Sequence, residues 1–185
     1  MQARSKAYPD AYKAMLTLSQ AVAKTGLSPQ LIDLVNYRVS QLNGSAFCLD
    51  MHSKDLRARS ETEQRLYMIS AWRAVPHIYS SRECAALAWA EAVTRLENQQ
   101  VADAVYDTAS QEFSDAEMAQ LTLAIVAVNG WNRFNVALRT PAGAYQSTIA
   151  RKTGCGRPAG ERYLEPTWAR RTTVARSASV GRSAS

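Results

Sequence analysis

The sequence predicts an all-helical protein, and three observations carry that reading. Ala, Leu, Gln, Glu and Arg dominate the composition, and these residues favour helix. Strand-like runs of Val, Ile and Thr are missing, and only 8 glycines and 6 prolines occur in 185 residues. Three Ser-x-x-Glu patterns, at Ser60, Ser80 and Ser114, stand where apolar-periodic runs begin, as capping boxes do.

Taken in order, the chain yields about seven helices. Residues 8–24 place Tyr8, Tyr12, Met15, Leu18 and Val22 at steps of three and four, the spacing of an amphipathic helix. Gly26 ends it, and Ser28-Pro29 reads as an N-cap with proline in the first turn. Leu31, Leu34, Val35, Val39 and Leu42 then share a face until Asn43-Gly44. A third helix is expected over residues 45–59, and a fourth from Ser60 to about Trp72. Residues 74–79, with Pro76, form a loop. The helix after Ser80 buries Ala85, Ala88, Trp89, Ala92 and Leu96, and another spans residues 97–111. The run after Ser114, through about Leu138, is the most apolar.

Charge divides the chain at about residue 143. Residues 143–185 carry 8 of the 22 basic and 2 of the 16 acidic residues, so they supply the whole net charge of +6. Residues 1–142 hold 14 of each sign. The body therefore has no basic bias, and a nucleic-acid partner is not expected. Two parts follow: a helical domain over 1–143, and a basic low-complexity tail over 144–185 whose composition reads as disordered or artefactual. The first residues are polar and no apolar stretch is long enough to span a bilayer, so no membrane is expected. Three scattered cysteines make no disulfide framework, which suits a reducing, cytoplasmic setting.

The chemistry-bearing segment is Asn43-Gly-Ser-Ala-Phe-Cys-Leu-Asp-Met-His52. Cys48 and His52 are four residues apart on a predicted helix, which puts their Cβ atoms about 6 Å apart on one face. Cys48 falls in the first turn, where free N–H groups and the helix dipole favour a thiolate. His52 is placed to take and return the thiol proton. Set against this, a Cys near a His is more often a packed small side chain beside a polar neighbour. Two ligands do not make a metal site, and neither metal nor cofactor is called for. Trp72, Trp89 and Trp131 sit at apolar positions and read as core. Asn129, Asn132 and Asn135 recur every three residues on an apolar helix and need polar partners, which an inter-subunit contact would supply.

Residues 31–52 resemble the core motif of the alkylhydroperoxidase D (AhpD) and carboxymuconolactone decarboxylase superfamily: a Glu, eleven residues, Cys-x-x-Cys, three residues, His. Residues 60–73, 86–91 and 129–136 are similar to the same family, so the likeness runs over about residues 8–143. The resemblance implies an AhpD-like orthogonal bundle that forms a homo-oligomer, a dimer, trimer or hexamer. It implies a thiol-dependent antioxidant peroxidase. Cys48 matches the second motif cysteine, which meets the peroxide and becomes a sulfenic acid, and His52 matches the proton-relay histidine. Asp33 stands where the motif has Glu, one methylene shorter. Ser45 stands where the motif has its first cysteine, and a serine closes no disulfide. Ser45 reads either as a helix cap or as an engineered change from cysteine, and both break the two-cysteine cycle.

The expected activity is then either impaired or a one-cysteine cycle, in which Cys48 is oxidised by a peroxide and resolved by an external thiol or lipoyl-type reductant. Cys84 and Cys155 are expected to be ordinary thiols, and His77 a surface or packing residue. Two other readings are weighed. One is a carboxymuconolactone decarboxylase-like enzyme acting on a lactone or cyclic acid, which needs no cysteine pair. The other is a helical oligomer without catalysis.

Overall fold

The computed structural model describes residues 8–149. Seven α-helices run through them: α1 (Pro9–Ala23), α2 (Pro29–Leu42), α3 (Ala46–Ala58), α4 (Glu63–Met68), α5 (Ser81–Arg95), α6 (Asp103–Glu112) and α7 (Asp115–Ala137). Three short 3-10 turns join them at Ile69–Ala74, Pro76–Ile78 and Glu97–Gln99. No strand occurs among the described residues, and the chain is an all-α bundle as expected. Residues 1–7 and 150–185, with Cys155 and nearly all of the basic tail, lie outside the described residues.

Local chemistry starts and stops the helices. The boxes at Ser80 and Ser114 form as expected, each serine accepting from the backbone N–H of Glu83 or Glu117 while that glutamate reaches back. The third box does not form. Ser60 sits in the left-handed region at φ 71°, and Glu63 turns to Arg57 instead. Thr62 caps α4, accepting from the Arg65 N–H at 3.3 Å. The helix expected over residues 97–111 also starts late. Leu96, Asn98 and Gln99 all adopt positive φ, so the chain turns at Glu97–Gln99 before α6 begins at Asp103. Gly44, at φ +64°, makes the tight turn from α2 into α3 that a side chain would strain.

Helix α2 is central because both of its faces are apolar. Leu31, Val35 and Val39 join α5, α6 and α7 in one core with Trp89, Leu121 and Ile125. Leu34 points the other way, into a second core with Leu56, Leu66, Ile69, Trp72 and Leu87. Burying each such leucine is worth roughly 1.5–3 kcal/mol. Between the cores, Glu91 (3% exposed) accepts from Arg38, Arg73 and the Trp72 indole.

The asparagine ladder on α7 finds partners inside the same chain. Asn43 donates to Asn129 and Asn132, each at 2.9 Å, and Asn132 donates to Ser40. Helix α1 is held differently. It has no buried residue and packs mainly on α7, where a Cβ on Gly130 would stand 2.9 Å from the end of Met15. Past α7, the chain returns over α3. Lys54 donates to the carbonyls of Gly143 and Tyr145, and the Tyr145 hydroxyl bonds Asp55 at 3.0 Å.

Candidate functional site

Position along α3 brings the candidate residues together. Ser45 is the N-cap by backbone geometry, which makes Cys48 the third helical residue, inside the first turn. His52 follows one turn later on the same side. Cys48 is 1% exposed and His52 7%, so neither is freely solvated. The Cys48 sulfur accepts from the Asn135 side-chain amide of α7 at 3.4 Å, and no hydrogen bond joins it to His52.

Asp33 comes from α2. One of its carboxylate oxygens lies 3.8 Å from the His52 Nδ1, and the other accepts from the Arg59 Nε at 2.7 Å. The shorter carboxylate therefore reaches the imidazole only at arm's length, while Arg59 fixes its direction. The His52 Nδ1 is buried with no hydrogen-bond partner, and so is the Asn36 side-chain oxygen. A buried polar atom left unpaired costs about 1–3 kcal/mol.

These groups line one cavity of about 450 Å³. Asp33, Asn36, Cys48, His52, Arg59 and Asn135, with Ser19 of α1, form its polar part. The rest of the wall is apolar, with Leu16 and Val22 from α1, Ile32 from α2 and Val128 from α7. Such a pocket, apolar with a few convergent polar groups, is the usual form of a small-molecule site.

Of the expected site residues, Cys48, His52 and Asp33 share the cavity wall, and Ser45 does not. Ser45 is 1% exposed, and its hydroxyl bonds nothing, neither as the expected cap nor otherwise. Trp131, expected in the core, is half-buried and lines the cavity, its indole donating to Ser19 at 2.7 Å. Arg59, Asn36 and Asn135 were not foreseen there. The spacing of the α7 asparagines was visible in the sequence, but nothing local marks the last of them as facing a sulfur. Cys84 packs beside the second core, and burial pushes its thiol above the ordinary range. His77 is exposed in a 3-10 turn, as expected. Among the described residues, no three His, Cys, Asp or Glu side chains group to hold a metal ion.

A family model for the carboxymuconolactone decarboxylase family matches residues 9–92, from α1 through most of α5. The uncharacterized protein YdfG of Bacillus subtilis is 35% identical over 130 residues, which cover 70% of this chain and 88% of YdfG. The uncharacterized protein YnjA of Escherichia coli is 30% identical over 119 residues, 64% of either chain. A solved protein of unknown function from Agrobacterium tumefaciens, named as a candidate AhpD antioxidant-defence protein, is 38% identical with a TM-score of 0.73. That match covers 77% of this chain and 97% of the other. The AhpD core of an uncharacterized peroxidase-related protein from Ralstonia eutropha shares the fold at 17% identity and a TM-score of 0.65, covering 76% of this chain and 75% of its own.

Proposed function

We infer the function from one premise: this chain belongs to the carboxymuconolactone decarboxylase family, within the superfamily that includes AhpD. We propose that it is a one-cysteine thiol peroxidase that reduces organic hydroperoxides at Cys48. The observation that carries this reading is the burial of the Cys48 sulfur at a mainly apolar cavity shared with His52 and Asp33.

The chemistry balances without a second motif cysteine. The Cys48 thiolate attacks the terminal oxygen of the hydroperoxide. An S–O bond forms, the O–O bond breaks, and the alkoxide leaves as the alcohol after taking a proton. Cys48 is oxidised to the sulfenic acid and the peroxide is reduced. An external thiol, or a lipoyl-type dithiol, then displaces water to form a mixed disulfide. A second thiol frees Cys48. His52 is the proposed proton carrier, oriented by Asp33 on the side of its Nδ1. A reduced thiol pool suits a cytoplasmic setting. A homo-oligomer would cover Val126 and Val136, each 51% exposed on α7.

The competing readings fit the cavity less well. A cyclic acid or a carboxylated lactone would need a cation for its carboxylate, and the natural anchor, Arg59, is already held by Asp33 at 2.7 Å. Among the described residues, no other Arg or Lys lines the cavity. A helical oligomer without chemistry gains nothing from burying the His52 Nδ1 unpaired.

The test is to treat the protein with an organic hydroperoxide and a cyclic-dione sulfenic trap, then map all three cysteines by mass spectrometry. Cys48 is expected to be trapped at least tenfold faster than Cys84, and His52→Ala to slow it by about 10²-fold. Trapping of Cys48 at the rate of Cys84 would overturn the proposal.

A further inference from the structure

We propose that Asn135 is a catalytic residue of this site: its side-chain amide holds the Cys48 sulfur as the anion and positions it for attack on the hydroperoxide. The inference rests on the peroxidase reading above and adds a residue to it.

The need for such a group comes from burial. At 1% exposure the Cys48 sulfur has almost no water to solvate a negative charge. A buried anion without a donor is costly, so a reactive thiolate here requires N–H groups aimed at it. The first turn of α3 supplies the dipole of its N-terminus. His52 makes no hydrogen bond to the sulfur. The Asn135 Nδ2, at 3.4 Å, is the side-chain donor that does.

The direction of the amide is fixed by a second bond. The same Nδ2 donates to the Trp131 carbonyl at 2.9 Å, one turn back on α7. Turning the amide over would set its oxygen against that carbonyl. The amino group, and not the oxygen, therefore faces Sγ. The other two asparagines of the ladder have different duties. Asn129 bonds Thr94 and Asn43, and Asn132 bonds Ser40 and Asn43. Only Asn135 of the three lines the cavity.

This placement matches the course of the reaction. A neutral amide bonded to a thiolate is a charge-assisted hydrogen bond, about twice as strong as one to a neutral thiol. Asn135 thus favours the anion that attacks over the thiol that does not. When the S–O bond forms, the new oxygen appears beside the same N–H.

The experiment compares the full chain with Asn135→Leu, which keeps the branched outline, adds some bulk and removes the donor, and Asn135→Asp, which keeps the shape and presents an acceptor. Iodoacetamide labelling of Cys48 is followed between about pH 5 and pH 9, with Cys84 in the same digest as reference. Asn135→Leu is expected to slow Cys48 labelling about tenfold at neutral pH and to displace its pH profile upward by about one unit, with Asp larger and Cys84 unmoved. Asn135→Gln, which keeps a donor, is expected to recover part of the rate. Should the Leu variant not fold, the Asp variant carries the test, being nearly isosteric. If the parent Cys48 outpaces Cys84 but its profile is the same in the Leu and Asp variants, the role of Asn135 is refuted and the peroxidase reading stands. If the parent Cys48 labels no faster than Cys84, both fall.

Discussion

Replacing Ser45 by cysteine tests structure and chemistry together. Ser45 is 1% exposed, and its hydroxyl has no hydrogen-bond partner. It makes no capping bond, so the substitution forfeits none. An unpaired buried hydroxyl costs about 1–3 kcal/mol, whereas a thiol of similar size behaves as a small apolar group. Reduced Ser45→Cys is therefore expected to be about 1 kcal/mol more stable than the parent. For a body of this size that is a rise of about 3 °C in Tm, read by circular dichroism under reducing conditions. The chemical arm follows from position. An N-cap residue and the third helical residue are one turn apart. On the proposed reading, the new thiol captures the Cys48 sulfenic acid, releasing water and closing a disulfide. One equivalent of hydroperoxide should then remove two hydrogens from the intact mass and abolish trapping at Cys48. A lower Tm would refute the account of the buried hydroxyl. Persistent sulfenic acid beside a free thiol at position 45 would refute the correspondence of Ser45 with the first motif cysteine.

Three further substitutions test other contacts. Glu91→Gln should cost about 3–5 kcal/mol, or about 10 °C or more in Tm, because it leaves the buried Arg38 without its counter-charge. Arg73→Ala, at a side chain 58% exposed, should cost no more than about 1 kcal/mol, and a similar loss in both would refute the argument. Burial raises the Glu91 carboxyl, but hydrogen bonds from Arg73, Trp72 and Arg38 hold it below the ordinary range. Its contribution is thus full above the usual carboxylate range and is lost as the pH falls through the lowered native one. Acid melts of parent and Glu91→Gln should therefore converge only as the pH falls well below the ordinary carboxylate range. Asn36→Leu removes an unpaired buried oxygen from the cavity wall. It should raise the melting temperature by about 3 °C yet slow sulfenic acid formation at Cys48 several-fold, and unchanged trapping would release Asn36 from the site.

What the sequence disclosed depended on how local each cause was. The boxes at Ser80 and Ser114 were legible because both partners lie within four residues. The same pattern failed at Ser60, since Arg57 captured Glu63 from outside it. The late start of α6 turned on three residues with positive φ, none of them glycine, and composition gives no sign of that. Within the site, the Cys48–His52 spacing was visible because one helix sets it. The bond from Arg59 to Asp33 spans 26 residues and that from Asn135 to Cys48 spans 87, so tertiary packing alone decides them. The cavity was invisible for the same reason: four helices, brought together by two cores, leave it between them.

Helix α1 walls that cavity while contributing no buried residue. Segments with little burial open at a free-energy cost far below that of global unfolding. The space beside Cys48 is therefore bounded on one side by buried core and on the other by a helix with no buried residue. A reductant too bulky for the closed cavity would meet Cys48 at a rate set by the breathing of α1, and the Tyr12 and Ser19 contacts to Trp131 would act as the latch that sets its pace.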